Sequence, residues 1–221
     1  MKPRAQRDQL GCRSGRVGSA HVLSGLLGLL CVSIGASGAV AARPKPAAKA
    51  VARTYDLPGH GRLQLSVPAQ WPQTMKQVQP SGTPGGIQLQ AIEFKPQGGA
   101  NFAVGVGVFW DTKPGYNSPQ ALRSRVEASG KAMLRQAVEK SLVIRELKGP
   151  QAVGYYFAPL TDKTLVGKPP VPDNFKYLSH GWVAVGDVTL GFFIGFQKKD
   201  APEYQAALAM IRSAKWLKAK G

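Results

Sequence analysis

Two nine-residue stretches, FAVGVGVFW at 102–110 and VTLGFFIGF at 188–196, alternate side-chain size with a period of two. In the first, Phe102, Val104, Val106 and Val108 fall on one side and Ala103, Gly105 and Gly107 on the other. In the second, Val188, Leu190, Phe192, Ile194 and Phe196 oppose Thr189, Gly191, Phe193 and Gly195. Successive side chains of a strand point to opposite faces, so both stretches read as strands with one bulky face and one small face. Glycine inside a strand marks a close approach by another group. The expectation is a sheet covered on both faces, with backbone approaching on the glycine side, so that leucine at Gly107 or Gly191 unfolds the domain.

The rest of the chain is organised around these strands. GRLQLSV (61–67) alternates and stops at Pro68, and IQLQAIEF (87–94) alternates with Ile92 and Phe94 one step out of phase, as a bulge would produce. Ser118 and Pro119 open a helix expected to reach about Lys140, with Leu122, Val126, Met133 and Ala137 as its apolar stripe and Gly130 marking close packing. LVIREL, QAVGYYFA, NFKYLSHGWVAV and the last strand then form a meander, antiparallel because most of the connections are short. Asp200 and Glu203 read as an acidic capping box for a final helix with Tyr204, Ala207, Leu208 and Ile211 on its apolar side. The fold class expected is α+β: a central antiparallel sheet of about six or seven strands with helices on both faces, an α/β/α sandwich.

At the N-terminus Lys2, Arg4, Arg7, Arg13 and Arg16 precede the apolar run VLSGLLGLLCVSI and the small residues GASGAVAA. That order is the order of a secretory signal peptide over residues 1–42, cleaved after Ala41 or Ala42, and the run is too short for a membrane span. The residues before Cys31 do not form a lipobox. RPKPAAKAVAR (43–53) reads as a basic Pro/Ala linker, which leaves residues 54–221 as a single domain. Both cysteines, Cys12 and Cys31, fall in the removable segment, which excludes disulfides, thiolate metal sites and cysteine nucleophiles from the mature chain. The formal charge of +17 is concentrated at the two ends and in the linker. With export, that distribution argues against nucleic acid as a partner and for an envelope protein or an anionic polymer.

The order of elements, with the strand ending Val67-Pro68 and Trp71 three residues on, the long helix after Ser118-Pro119, the meander and the terminal helix, resembles the PsbP/Mog1-like superfamily, which includes DcrB-like exported proteins. The resemblance covers about residues 54–217. It implies an α/β/α sandwich with a binding or assembly role, and it transfers no functional residue.

Chemical candidates gather in the connector TDKTLVGKPPVPDNFKY (161–177). Gly167-Lys168 is not a phosphate loop: Pro169 follows the lysine, position 162 is aspartate where a glycine is required, and Pro169-Pro170 forbid the helix. Gly105 and Gly107 lack the third glycine of a dinucleotide fingerprint, since Trp110 stands there. His60 and His180 have no companions at metal-ligand spacing, so neither a metal nor any other cofactor is expected. The residues put forward for binding are Asp162, Lys163, Lys168, Phe175, Tyr177 and His180, with no catalytic residue assigned. The expected function is a non-enzymatic binding or envelope-associated module in the periplasm or secreted. The alternative is a periplasmic hydrolase in which Asp162, Lys163, His180, Ser179 and Thr161 converge.

Overall fold

The computed structural model describes residues 49–78, 88–96, 101–110 and 112–219. The signal peptide and the first part of the linker read from the sequence lie outside the described residues. The described chain opens with the antiparallel hairpin β1 (Ala50–Leu57) and β2 (Gly61–Pro68), followed by β3 (Gln73–Val78), β4 (Gln88–Phe94) and β5 (Phe102–Trp110). Helix α1 (Pro119–Leu134) leads to β6 (Ile144–Lys148), β7 (Ala152–Phe157) and the short β8 (Leu160–Thr161). A 3-10 turn (Lys163–Leu165), β9 (Tyr177–Val185), β10 (Val188–Phe196), α2 (Pro202–Arg212) and β11 (Lys215–Leu217) complete it.

Nine strand pairings among these elements make two sheets. The large one has eight strands in the order β3-β4-β5-β10-β9-β7-β6, with β8 beside β9, and the small one runs β1-β2-β11; every pairing is antiparallel. From β5 the chain must reach β6, four strand spacings away, a distance of about 19 Å. The 16 residues of α1 span about 24 Å, enough to carry it there. Ser118 starts the helix, its hydroxyl accepting from Ala121 N at 3.3 Å, and Pro119 occupies the first turn. From β6 the meander walks back strand by strand until β10 closes against β5, pairing Gly191 with Gly107 and Phe193 with Gly105.

The bulky faces of β5 and β10 build the core. Val104, Val108, Leu190 and Ile194 are fully buried and join Leu63, Leu65 and Val67 of β2 and Tyr204, Ala207, Leu208 and Ile211 of α2 in one cluster. A smaller cluster on the opposite face, Val126, Ala137, Phe157 and Leu160, seats α1 on the β7–β9 end of the large sheet. Gly130 makes the close contact expected of it, since a methyl group there would lie 2.6 Å from Leu142 Cδ1.

Several expectations are corrected. The described residues are mostly β, 47% strand against 19% helix, and they do not form the sandwich with helices on both faces. Instead of a helical layer, the core face of an eight-stranded sheet carries a three-stranded sheet with α2 beside it. Residues 50–53, read as linker, belong to β1 because their backbone pairs with Leu65–Pro68. β4 is regular rather than bulged: its register with β5 is unbroken, and Gln90, at 7% exposure, takes the core-facing position on the same alternation as Ile92 and Phe94. Helix α1 ends at Leu134, not Lys140, because the chain turns to pair Val138 N with Thr161 O at 2.9 Å and Lys163 N with Gln136 O at 2.9 Å. Ala201 is the N-cap of α2 and no side chain caps it, so the acidic capping box is not made.

One contact ties the two layers at a point no local pattern marks. A methyl group on Gly149, in the β6–β7 turn, would sit 2.8 Å from the carbonyl carbon of Arg212 at the end of α2. Gly149→Ala is expected to lower unfolding free energy by about 1–3 kcal/mol, the usual cost of overpacking against a backbone that has little room to yield. Urea denaturation checks it.

Candidate functional site

The glycine faces of β5 and β10 are the starting point. Gly105, Gly107 and Gly191 supply no side chain, so neighbouring rings fold over them. The Phe193 ring lies over its cross-strand partner Gly105, the Trp182 ring over its partner Gly191 with Cη2 3.0 Å from where a methyl would stand, and Phe109 leans over Gly107 at 3.1 Å. Phe109 and Trp182 meet at 5.2 Å between ring centroids. The result is a groove of about 480 Å³ with an aromatic floor, walled by Leu89 and Ala91 of β4 and rimmed by Thr74, Lys76 and Glu93. No described element lies across it, and Phe193 is 40% exposed. The expected backbone cover on the glycine side is therefore wrong: α1 packs on β7 and β9, where side chains are large, and stops short of the glycine half.

His180 borders the groove at the α1 side. Its Nδ1 lies 3.0 Å from Ser129 Oγ, and its ring meets Phe157 at 6.2 Å and Trp182 edge-on at 5.9 Å. Burial pushes the imidazole down to about 4, so it is neutral at pH 7. Behind Trp182, Arg125 stacks on Tyr116 with its guanidinium carbon 3.5 Å from the ring centroid and 5.2 Å from that of Trp182.

The residues singled out in the connector are spread along it. Asp162 Oδ1 accepts from Thr164 N and Thr164 Oγ1, both at 2.7 Å, and so caps the 3-10 turn. Lys163 Nζ donates to Arg135 O at 2.9 Å, fastening the turn to the end of α1, and Lys168 is exposed. Phe175 lies over Gly195 of β10, while Tyr177 stacks on Phe196 at 5.5 Å. Lys95 Nζ meets Asp173 Oδ1 at 2.9 Å and Gln197 donates to Asn174 O, so the connector is strapped across the ends of β10 and β4. Its hydrogen bond to Asp173 helps hold Lys95 above the usual lysine range.

These residues do not assemble a hydrolytic centre. The Ser179 hydroxyl points to the other face of β9 and donates to Phe157 O at 2.6 Å. The Thr161 hydroxyl donates to Glu139 at 2.7 Å. Burial alone would raise the Glu139 carboxyl, but the hydrogen bonds from Thr161 N and Oγ1 outweigh it and leave it lowered. Among the described residues no group of three His, Cys, Asp or Glu side chains is placed to hold a metal ion. No helix among them is long and apolar enough to cross a membrane. Of the residues lining the groove, the sequence points to His180 and, among the aromatics flanking the connector, to Trp182; Phe109 and Phe193 are not picked out for binding, although the glycine-aromatic alternation of β5 and β10 carries the signal for both. No protein-family model and no curated protein matches the chain, so the resemblance noted above rests on element order alone.

The His180 environment has a measurable consequence. The unfolded chain protonates this imidazole near 6.5 and the folded chain near 4, so its contribution to stability is complete above 6.5 and is lost as pH falls through that window. The full loss is on the order of 3 kcal/mol. Denaturant titrations at pH 7, 5.5 and 4.5 are expected to show the decline, and His180→Phe is expected to flatten it.

Proposed function

We propose that the protein is a non-enzymatic binding module and that its ligand sits in the groove on the glycine half of the large sheet. The observation that carries this reading is the aromatic floor: three rings laid over glycine positions and left uncovered by any described element, with polar groups confined to the edges, His180 on one and Thr74, Lys76 and Glu93 on the rim. A concave, mostly apolar site with few polar groups is the usual form of a small-ligand site. Leaving Phe193 in water carries a hydrophobic penalty that a ligand would relieve. The export read from residues 1–42 belongs to the same proposal and places the module in the periplasm or outside the cell, where an envelope component is the partner.

A hydrolase at Asp162 and His180 has less support, because the Asp162 carboxylate is occupied by Thr164 and the His180 imidazole by Ser129. The test is a groove-filling substitution. Gly107→Leu extends into the half-exposed side, where the edge of the Phe109 ring at 3.1 Å and Leu89 Cδ1 at 3.4 Å have to yield by only a few tenths of an ångström, so the thermal midpoint is expected to stay within a few degrees of wild type. Binding of the apolar dye ANS, measured by fluorescence, is expected to fall at least fivefold. Failure of the native protein to bind the dye, or equal binding by the variant, contradicts the reading.

A further inference from the structure

We infer that His180 is locked as the tautomer protonated on Nδ1, and that its Nε2 lone pair is the acceptor with which the groove selects an uncharged hydroxylated ring, a sugar. The inference rests on the groove being the ligand site. Ser129 sits inside α1 with three close neighbours: Arg125 O at 3.0 Å, Val126 O at 3.2 Å and His180 Nδ1 at 3.0 Å. A serine hydroxyl has one proton to give. If it went to Nδ1, the oxygen would face two carbonyl oxygens with no proton between them. If it goes to the carbonyl of the preceding turn, as helical serines commonly arrange it, the oxygen is free to accept from an imidazole N–H. Every contact is then satisfied, in the sequence Nδ1–H to Oγ–H to C=O.

The consequence runs in two directions. A histidine that donates to serine does not act as its base, so Ser129 and His180 are not a nucleophilic pair. Nε2, the remaining ring nitrogen, must be an acceptor, and the groove that His180 lines is otherwise apolar on this side, with Phe193 and Trp182 as neighbours. A pure hydrocarbon seated there would strip water from Nε2 and return no hydrogen bond, whereas a ligand hydroxyl satisfies it. The rest of the shape agrees with a sugar. Rings folded over glycines present their surfaces to the C–H face of a pyranose, and an uncovered groove leaves the ligand's opposite face hydrated. The rim carries Lys76 and Glu93, one charge of each sign, so it gives no preference for a net-charged ligand.

Two measurements on the full chain test this. Long-range ¹⁵N–¹H correlation spectra at pH 7 are expected to show the His180 proton on Nδ1; a proton on Nε2 overturns the inference. Calorimetric titration with soluble cellotetraose, maltotetraose and chitotetraose, and co-sedimentation with the matching insoluble polymers, are expected to show binding to at least one sugar. Binding in the soluble arm identifies a free saccharide and binding in the polymer arm alone identifies a glycan chain; either supports the inference. Affinity is expected to fall tenfold or more in Phe193→Ala and in His180→Phe, the second of which keeps the ring and removes the acceptor. No binding in either arm, or undiminished binding by His180→Phe, overturns it. If ANS still enters the native groove in that case, the groove remains a site and only the ligand class is wrong.

Discussion

The segregation of large and small side chains across β5 and β10 is the constraint on which the rest of the structure depends. Each valine, leucine, isoleucine or phenylalanine on the bulky side is worth about 1.5–3 kcal/mol when removed from water, and a glycine on the other side is worth almost nothing. A second layer placed over the bulky side is strongly favoured, and the β1-β2-β11 sheet with α2 supplies it. On the glycine side the strands themselves offer a layer little to bury against its ordering entropy, their apolar surface being confined to the rings of Phe109, Trp182 and Phe193. Helix α1 therefore settles where Phe157, Leu160 and Trp182 give it something to cover. The half of the sheet that no described element covers is the consequence, and the rings of Phe109, Trp182 and Phe193 shield its backbone in place of a layer.

That asymmetry explains how much of the fold could be read in advance. The strands with apolar alternation, β2, β5, β7, β9 and β10, are legible because burial and pattern have the same cause. β1 was not, since Ala50–Arg53 has no apolar alternation and is held by backbone pairing with β2. β11 is three residues long and follows a helix without a turn signal. Without these two strands the second sheet is invisible, and the sequence pattern leaves only helices to cover the core face. The glycine pattern is visible but ambiguous, because a closely covered face and a bare one leave the same trace in the sequence. Deciding between them requires knowing where α1 lies.

The site was legible to a lesser degree for a related reason. His180 stands on the same alternation as Leu178 and Trp182, and that is enough to notice it. Its hydrogen-bond partner is 51 positions away on a helix, with nothing local to announce it. The connector 161–177, with its lysines and prolines, drew attention by composition. Its polar groups are instead taken up in holding it down: Asp162 on Thr164, Lys163 on the end of α1, Asp173 on Lys95. The connector is long because it must leave β8, cross the ends of neighbouring strands and re-enter as β9, and its fastening supports the sheet end beside the groove.

Cysteine accessibility along β4 tests the central claim most directly, because this strand borders the groove on one side and the core on the other. With Cys12 and Cys31 replaced, single cysteines at Leu89, Ala91 and Glu93 are predicted to react with a thiol reagent in native buffer at rates near those of an exposed peptide. Cysteines at Gln90, Ile92 and Phe94 are predicted to react only through unfolding, more slowly by orders of magnitude. Uniformly slow labelling at all six positions would mean that the glycine half of the sheet is covered after all, and would contradict the account.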